Sequence, residues 1–349
     1  MRRCVVGVDV GGTNVRACAF HDDGNPAGPF VSRPSHAQEG TERTIEAISG
    51  AILEAIGSAE CTPEGVGVAV PGHIDNAAGL VRWAPNFGEE KDGVFHYWRD
   101  VPLRQALSKS INLPILLDND ANAAALGEYK FGAGRNSAKC LVMLTVGTGI
   151  GGGVILSSDA LLFAGTNHTA ATGPIVLVGG NKGGAELGHI ILQHGGVEAN
   201  AGSYGALEAY CQRDAIVRRA AHRLQRGRNS ILNDLVKGDL GLVSPKLLSE
   251  AADQGDELAI EVWRETGEYL GVGIGSLINV FAPDVFAIGG QIAKAGEWLL
   301  GPARITARNV AIPSLFEDCS IVQAEQIEDA GVLGGAALAL EWLQWNKTN

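Results

Sequence analysis

At 349 residues, 46% of them hydrophobic and 19% charged, the chain is long enough for two domains of ordinary size and a sizeable core. A formal charge of −12, with no apolar signal segment or membrane span, argues against nucleic-acid and membrane partners and makes the cytoplasm the expected location. The six cysteines are dispersed without a C-x-x-C pair; several lie in apolar runs as small hydrophobes, and neither a disulfide framework nor a zinc knuckle can be read from them.

The first apolar β-run, 4–8, leads into D-V-G-G-T-N at 9–14 and a return strand at 15–20. A strand, a bare-backbone turn and a return strand make a hairpin whose amide N–H groups can close on phosphate oxygens, although an ordinary Gly-Gly hairpin reads the same way. A helix is predicted at 41–56, with Thr41 and Thr44 as candidate caps, then a buried strand at 65–70 ending in Pro71-Gly72. Residues 86–96 read as a polar and aromatic loop, 102–109 as a short helix and 114–117 as another buried strand.

That strand runs into D-N-D-A-N at 118–122 and an alanine-rich helix through Lys130. Asp118, Asn119 or Asp120 could each cap the helix, but capping needs only one. A surplus of short polar groups at a strand's carboxyl end, the usual ligand edge of α/β sheets, favours a site. A second apolar run at 140–144, G-T-G-I-G-G-G at 147–153 and a strand at 154–156 repeat the hairpin. Gly147, Gly149 and Gly152 match G-x-G-x-x-G, yet residues 154–159 read as a short strand and turn where a dinucleotide site needs a helix, so the Rossmann reading is rejected. The Gly/Thr-rich stretch 165–184 contains a strand-like 174–178. Helices at 207–224, 244–253 and 257–280, a strand at 285–288 ending in Gly289-Gly290 and a final helix at 330–345 complete an α/β pattern. One glycine turn in each half suggests two lobes that grip a nucleotide.

D-V-G-G-T, V-P-G-H-I-D, A-P-N, D-N-D-A-N-A-A-A-L-G-E, G-T-G-I-G-G-G, E-L-G-H and L-E-A-Y occur here in the order in which the ROK family of sugar kinases and repressors carries them, and the chain resembles that family over effectively its whole length. The resemblance implies an actin-like ATPase (ribonuclease H-like) fold: a small lobe of 1–118 plus about 330–349, a large lobe of 119–329 and a central cleft. It implies a hexose kinase using ATP and Mg²⁺ on the primary hydroxyl of an aldohexose, first of all glucose. Fructose, mannose or an N-acetylated hexosamine is the alternative substrate. A sugar-sensing transcriptional regulator is the alternative class, disfavoured because it calls for a DNA-binding module that a hairpin at Asp9 leaves no room for. A homodimer or homotetramer is expected, as is common on this fold.

Carried onto this sequence, the family pattern makes Asp120 the general base and sets Gly72, Asn86, Asn119, Asp120, Glu186, His189 and Glu208 around the sugar hydroxyls. Taken singly, Glu186 and Glu208 read as solvated acids and His189 as a structural histidine; their motifs lift them above that. Gly11, Gly12, Thr13, Thr148 and Gly149 are expected at the phosphates, with Gly149 in a turn that calls for positive φ. Asp9 is expected to hold Mg²⁺ through water. Gly289 and Gly290 serve either the adenine-ribose portion or tight strand–helix packing. The chain departs from the family pattern in three places. The frame A-N-A-G-S-Y-G-A at 199–206 has alanine at every cysteine position of the zinc-bearing members, so no structural zinc is expected and Tyr204 with glycine turns should hold the loop. The segments 88–97 and 163–186 are longer than usual, which weakens substrate inference more than reaction inference.

Overall fold

The computed structural model describes residues 3–135, 138–160 and 173–348. The first part of the Gly/Thr-rich stretch, 165–172, lies outside the described residues. In chain order the first elements are β1 (Cys4–Val10), β2 (Asn14–His21), β3 (Val31–Pro34), α1 (Thr41–Gly57), β4 (Val66–Val70), β5 (His73–Asp75), β6 (Leu80–Lys91) and β7 (Val94–Val101). α2 (Leu103–Leu107), β8 (Ile115–Asn119), α3 (Asp120–Phe131), β9 (Cys140–Val146), β10 (Ile150–Leu156) and β11 (Ile175–Val176) follow. The rest comprises α4 (Leu207–Cys211), α5 (Arg213–Gln225), α6 (Leu232–Leu235), α7 (Pro245–Asp253), α8 (Glu257–Phe281), β12 (Val285–Gly289), α9 (Glu297–Val310), α10 (Pro313–Glu317), β13 (Ser320–Gln323) and α11 (Ala330–Thr348).

The chain divides into two compact units, Met1–Lys139 with Gly153–Ala185 and Glu328–Asn349, and Cys140–Gly152 with Glu186–Ile327. Residues 119–139 and 153–185, read from the sequence with the larger lobe, fall in the first unit. Its main sheet has the order β3-β2-β1-β4-β8, antiparallel on the β3-β2-β1 side and parallel through β4 and β8. β1 and β4 are near-continuous apolar runs, as strands covered on both faces must be. α11 packs against β1, β4 and α3, while α1 packs against β2 and β3. In the second unit, β12 lies parallel between β9 and β13, and α8 packs on α9. Among the described residues no helix is long and apolar enough to cross a membrane.

Several local expectations need correction. α1 is capped by Gly40, at φ 100°, and neither Thr41 nor Thr44 caps it; the Thr44 hydroxyl instead donates to the carbonyls of His36 and Gly40, each at 3.0 Å. The loop expected at 86–96 is part of the β6–β7 hairpin, joined by Asp92-Gly93 at φ 53° and 74° with Lys91 opposite Val94. Asp-Gly is a strong two-residue hairpin signal, since both central residues of a type I′ turn need positive φ. The charged run Glu89 to Asp92 masked it. On the buried side of this hairpin Phe87 and Trp98 pack with ring centroids 5.2 Å apart. The helix expected over 207–224 is two helices, because Gln212 turns to ψ 160° between α4 and α5. Strand pairing at 174–178 is confined to Ile175–Val176.

Cysteine behaviour is mixed. Cys18, Cys140 and Cys211 are buried thiols, with burial pushing them up to about 11, 11 and 12, so they stay protonated at neutral pH. Cys4 and Cys61 form a disulfide that tucks the segment after α1 against the start of β1. Two cysteines 57 residues apart carry no local signature of pairing.

Candidate functional site

In the first unit, the carboxyl ends of three neighbouring strands, β1, β4 and β8, carry candidate site residues. β1 places Asp9 directly opposite Arg16 of β2. The turn between them closes with the Gly11 N–H on the Asn14 carbonyl at 2.9 Å, so Gly11's amide is used within the turn, and Gly12 and Thr13 form the exposed tip. Burial, reinforced by the charge of Asp120 and opposed by Arg16, pushes the Asp9 carboxyl up to about 6. The first turn of α11 closes on the same carboxylate. A Cβ added at Gly331 would lie 2.5 Å from Asp9 Cγ, so only glycine lets the helix approach this closely. Arg16 also ties down the entry to α11, donating to the Glu328 carbonyl at 2.8 Å and pairing with Asp329 at 2.5 Å.

At the end of β8 the three short polar residues have separate tasks. Asn119 is the N-cap of α3; its Oδ1 accepts from the Ala121 and Asn122 N–H groups at 2.9 and 3.2 Å. Its Nδ2 donates to the Gly72 carbonyl at 2.9 Å, which leaves one N–H of that amide for a ligand. Asp118 is buried and accepts from the Asn119 N–H at 2.7 Å and Asn122 Nδ2 at 3.2 Å; burial raises its pKa. Asp120 opens α3, half-buried, with its Oδ1 accepting from the Ala121 N–H at 2.9 Å. Because Asn119 caps the helix, Asp120 is not required for that role. Gly72, at φ 102°, follows β4, and Asn86 is exposed at φ 63° within the irregular register between Ala84 and Gly88. Asn is among the few residues that tolerate a left-handed backbone. Non-glycine residues held there cluster at ligand sites.

In the second unit, the Gly147 N–H closes a turn on the Gly149 carbonyl at 2.9 Å, with Thr148 exposed at the tip. Gly149 is not among the residues with positive φ, contrary to the sequence expectation. A side chain there would displace Glu208, whose Oε2 would lie 2.7 Å from an added Cβ. Glu208 is itself buried, and Oε2 accepts the Ile150 N–H at 2.9 Å. Glu186 is exposed just before the short turn Leu187–His189; its Oε2 lies 4.0 Å from His189 Nε2, and His189 Nδ1 is buried with no hydrogen-bond partner among the described residues. Gly289 packs against the Met143 methyl and Gly290 against the Val146 backbone, contacts that belong to tight packing of β12 on β9.

The alanine frame at 199–206 is held without thiolates. The Tyr210 hydroxyl accepts the Val197 N–H at 3.1 Å, and Asn200 Nδ2 donates to Gln212 Oε1 at 3.0 Å. Ala199 and Ala206 are buried where relatives place cysteines, while Tyr204, the expected brace, is 54% exposed. Among the described residues no group of three or more His, Cys, Asp or Glu could hold a metal ion. For a Mg²⁺ ion that keeps several waters, one or two carboxylates suffice. Asp9 and Asp120 fit that demand: burial first, and then the charge of Asp120, raises the Asp9 pKa, and a divalent cation beside the two carboxylates would offset both. Arg16 and Gly331 escaped the sequence reading, although counting outward from the hairpin tip puts Arg16 opposite Asp9.

Each unit thus presents one glycine turn with an exposed tip, and the first unit also places a carboxylate at the head of a helix. Comparison with known proteins shows the family and the fold. The ROK family model matches residues 5–342. The glucokinase of Thermotoga maritima is 35% identical over 97% of both chains. A crystal structure of a ROK family glucokinase from Streptomyces griseus in complex with glucose and AMPPNP has a TM-score of 0.76 and 31% identity, covering 97% of this chain and 99% of that one. The ROK hexokinase of Thermus thermophilus has a TM-score of 0.74 and 31% identity, covering 98% and 99%. The fold is the α/β actin-like ATPase fold expected from the sequence, and the chain is a member of the ROK family.

Proposed function

We propose that the protein is an ATP-dependent glucose kinase that converts glucose to glucose 6-phosphate. The observation that carries this reading is the division of labour at the end of β8: Asn119 caps α3, and the neighbouring half-buried Asp120, which the cap does not require, stands at the helix head where a base is needed. Asp120 accepts the proton of the primary hydroxyl as that oxygen attacks the γ-phosphoryl group of ATP. Asn119, held between α3 and the Gly72 carbonyl, and the exposed Asn86 orient the sugar's other hydroxyls. The tips Gly12-Thr13 and Thr148-Gly149 receive the phosphates, where backbone amides supply affinity without the basic surface this acidic protein lacks. When bound, Mg²⁺ supplies neutralisation of phosphate charge, and Asp9 holds it through water. We place the enzyme in the cytoplasm as a homodimer or homotetramer.

A coupled ADP-release assay over glucose, fructose, mannose and N-acetylated hexosamines tests the reading. Glucose should give the highest kcat/KM. A higher value for another hexose would move the substrate assignment, for which the long β6–β7 hairpin beside Asn86 supplies a structural reason. No sugar-dependent ADP release from any of them would overturn the kinase reading.

A further inference from the structure

Resting on that reading, we infer that Glu208 is a positioning residue of the second glycine turn, holding the backbone that receives ATP phosphates, in addition to whatever contact it makes with sugar. The turn is gripped at both ends by one stretch of chain, L-E-A-Y-C-Q-R at 207–213. At its far end, Glu208 Oε2 accepts the Ile150 N–H at 2.9 Å. At its near end, the Gly147 carbonyl accepts the Arg213 N–H at 2.8 Å. The break at Gln212 makes this possible, because a continuous helix would commit the Arg213 N–H to its own ladder. Between the two anchors only the tip at Thr148 is exposed.

The carboxylate is buried, and its placement explains the glycine at 149 better than any backbone strain does. The residue's φ is not positive, and the close contact comes from Glu208 Oε2 itself, 2.7 Å from where a Cβ would stand. Glu208 and Gly149 therefore form a matched pair, a reaching acceptor and a residue that leaves room for it. A residue serving only the sugar would have no reason to commit an oxygen to this amide.

The experiment measures binding of AMPPNP with Mg²⁺ to the full-length protein without any sugar, where a sugar ligand has nothing to do. Glu208→Ala, which orphans the Ile150 N–H, and Gly149→Ala, which displaces the carboxylate, should each weaken AMPPNP on the order of tenfold. Glu208→Gln keeps an acceptor oxygen and removes a like charge from beside the phosphates, so it should bind as tightly as wild type or tighter. Sugar KM should rise in both Glu208 variants only to the extent that the side chain also touches sugar. AMPPNP binding by Glu208→Ala within twofold of wild type would overturn the inference while leaving the kinase reading intact. Should Glu208→Ala fail to fold, unchanged AMPPNP affinity in Gly149→Ala would do the same. A wild-type protein that does not bind AMPPNP overturns the kinase reading, and the inference with it.

Discussion

The two glycine turns share a sequence signature and differ in what stabilises them. The first, after β1, has an open tip: a Cβ at Gly12 would meet nothing within 4 Å. Its surroundings are charged, with Asp9, Arg16 and the first turn of α11 closing around one raised carboxyl. The second, after β9, is braced from below by Glu208 and Arg213, and a side chain at its Gly149 would push the Glu208 carboxylate aside. Neither tip uses positive φ. Glycine thus serves open access in one turn and a close contact in the other, a distinction that residue type alone does not reveal.

The strongest way to break the comparison is to remove the chemistry that the first unit is proposed to carry. Asp120→Asn keeps shape and removes basicity, so kcat should fall by about 10²-fold or more with sugar affinity largely kept. Steady-state kinetics beside a sugar-binding isotherm would show it; near-normal turnover would remove Asp120 from the role of base.

Next in size is the Cys4–Cys61 bond, which anchors the beginning of the strand that ends in the first turn. Cys61→Ser opens a link across 57 residues and should cost about 2–4 kcal/mol in denaturant unfolding. Wild type under strong reductant should lose a similar amount. Because such bonds are rare in a reducing cytoplasm, finding Cys4 and Cys61 bonded in protein trapped directly from cells would count against the cytoplasmic placement. Equal stability of oxidised and reduced protein would count against the bond.

Asp9 sharpens the contrast, because its charge is tolerated at a cost. Its folded carboxyl titrates at about 6, above the ordinary 3.8, so the native state binds the proton more tightly than the unfolded chain does. Stability therefore falls as pH rises between those two values, and the penalty is fully present at pH 7. Asp9→Asn should stabilise the metal-free protein at neutral pH by on the order of 2 kcal/mol, with the gain vanishing below about pH 4. Activity should fall in the same variant. Melts from pH 3 to 8 without Mg²⁺ test this, and a destabilised variant at pH 7 would show that burial does not penalise the Asp9 charge.

The smallest expected effect is Gly12→Ala, whose methyl points into open space; stability should stay within about 0.5 kcal/mol of wild type. Set beside the tenfold loss of AMPPNP affinity expected for Gly149→Ala, it separates an open turn from a braced one. A large stability loss at Gly12 would erase the distinction.

Both hairpins, the buried strands and the helix after D-N-D were legible in the sequence, because apolar runs broken by glycine or by short polar residues have few other ways to fold. The motif order likewise pointed to the family. The β6–β7 hairpin was missed where a charged run obscured the Asp92-Gly93 turn, and the caps of α1 were misassigned because Gly40 offers the backbone geometry that Thr41 was expected to supply. At 118–122 the composition announced a site without deciding which side chain caps. Only the packed structure divides the roles, giving Asn119 the helix and Gly72, Asp118 the interior and Asp120 the helix head. Arg16 opposite Asp9, Gly331 against its carboxylate, Cys4 bonded to Cys61 and Glu208 under Gly149 all join residues distant in sequence or on facing strands. Local propensity is set by neighbours within a few positions, whereas such contacts depend on how close two backbones come after the sheet and helices have packed, so only the tertiary structure decides them.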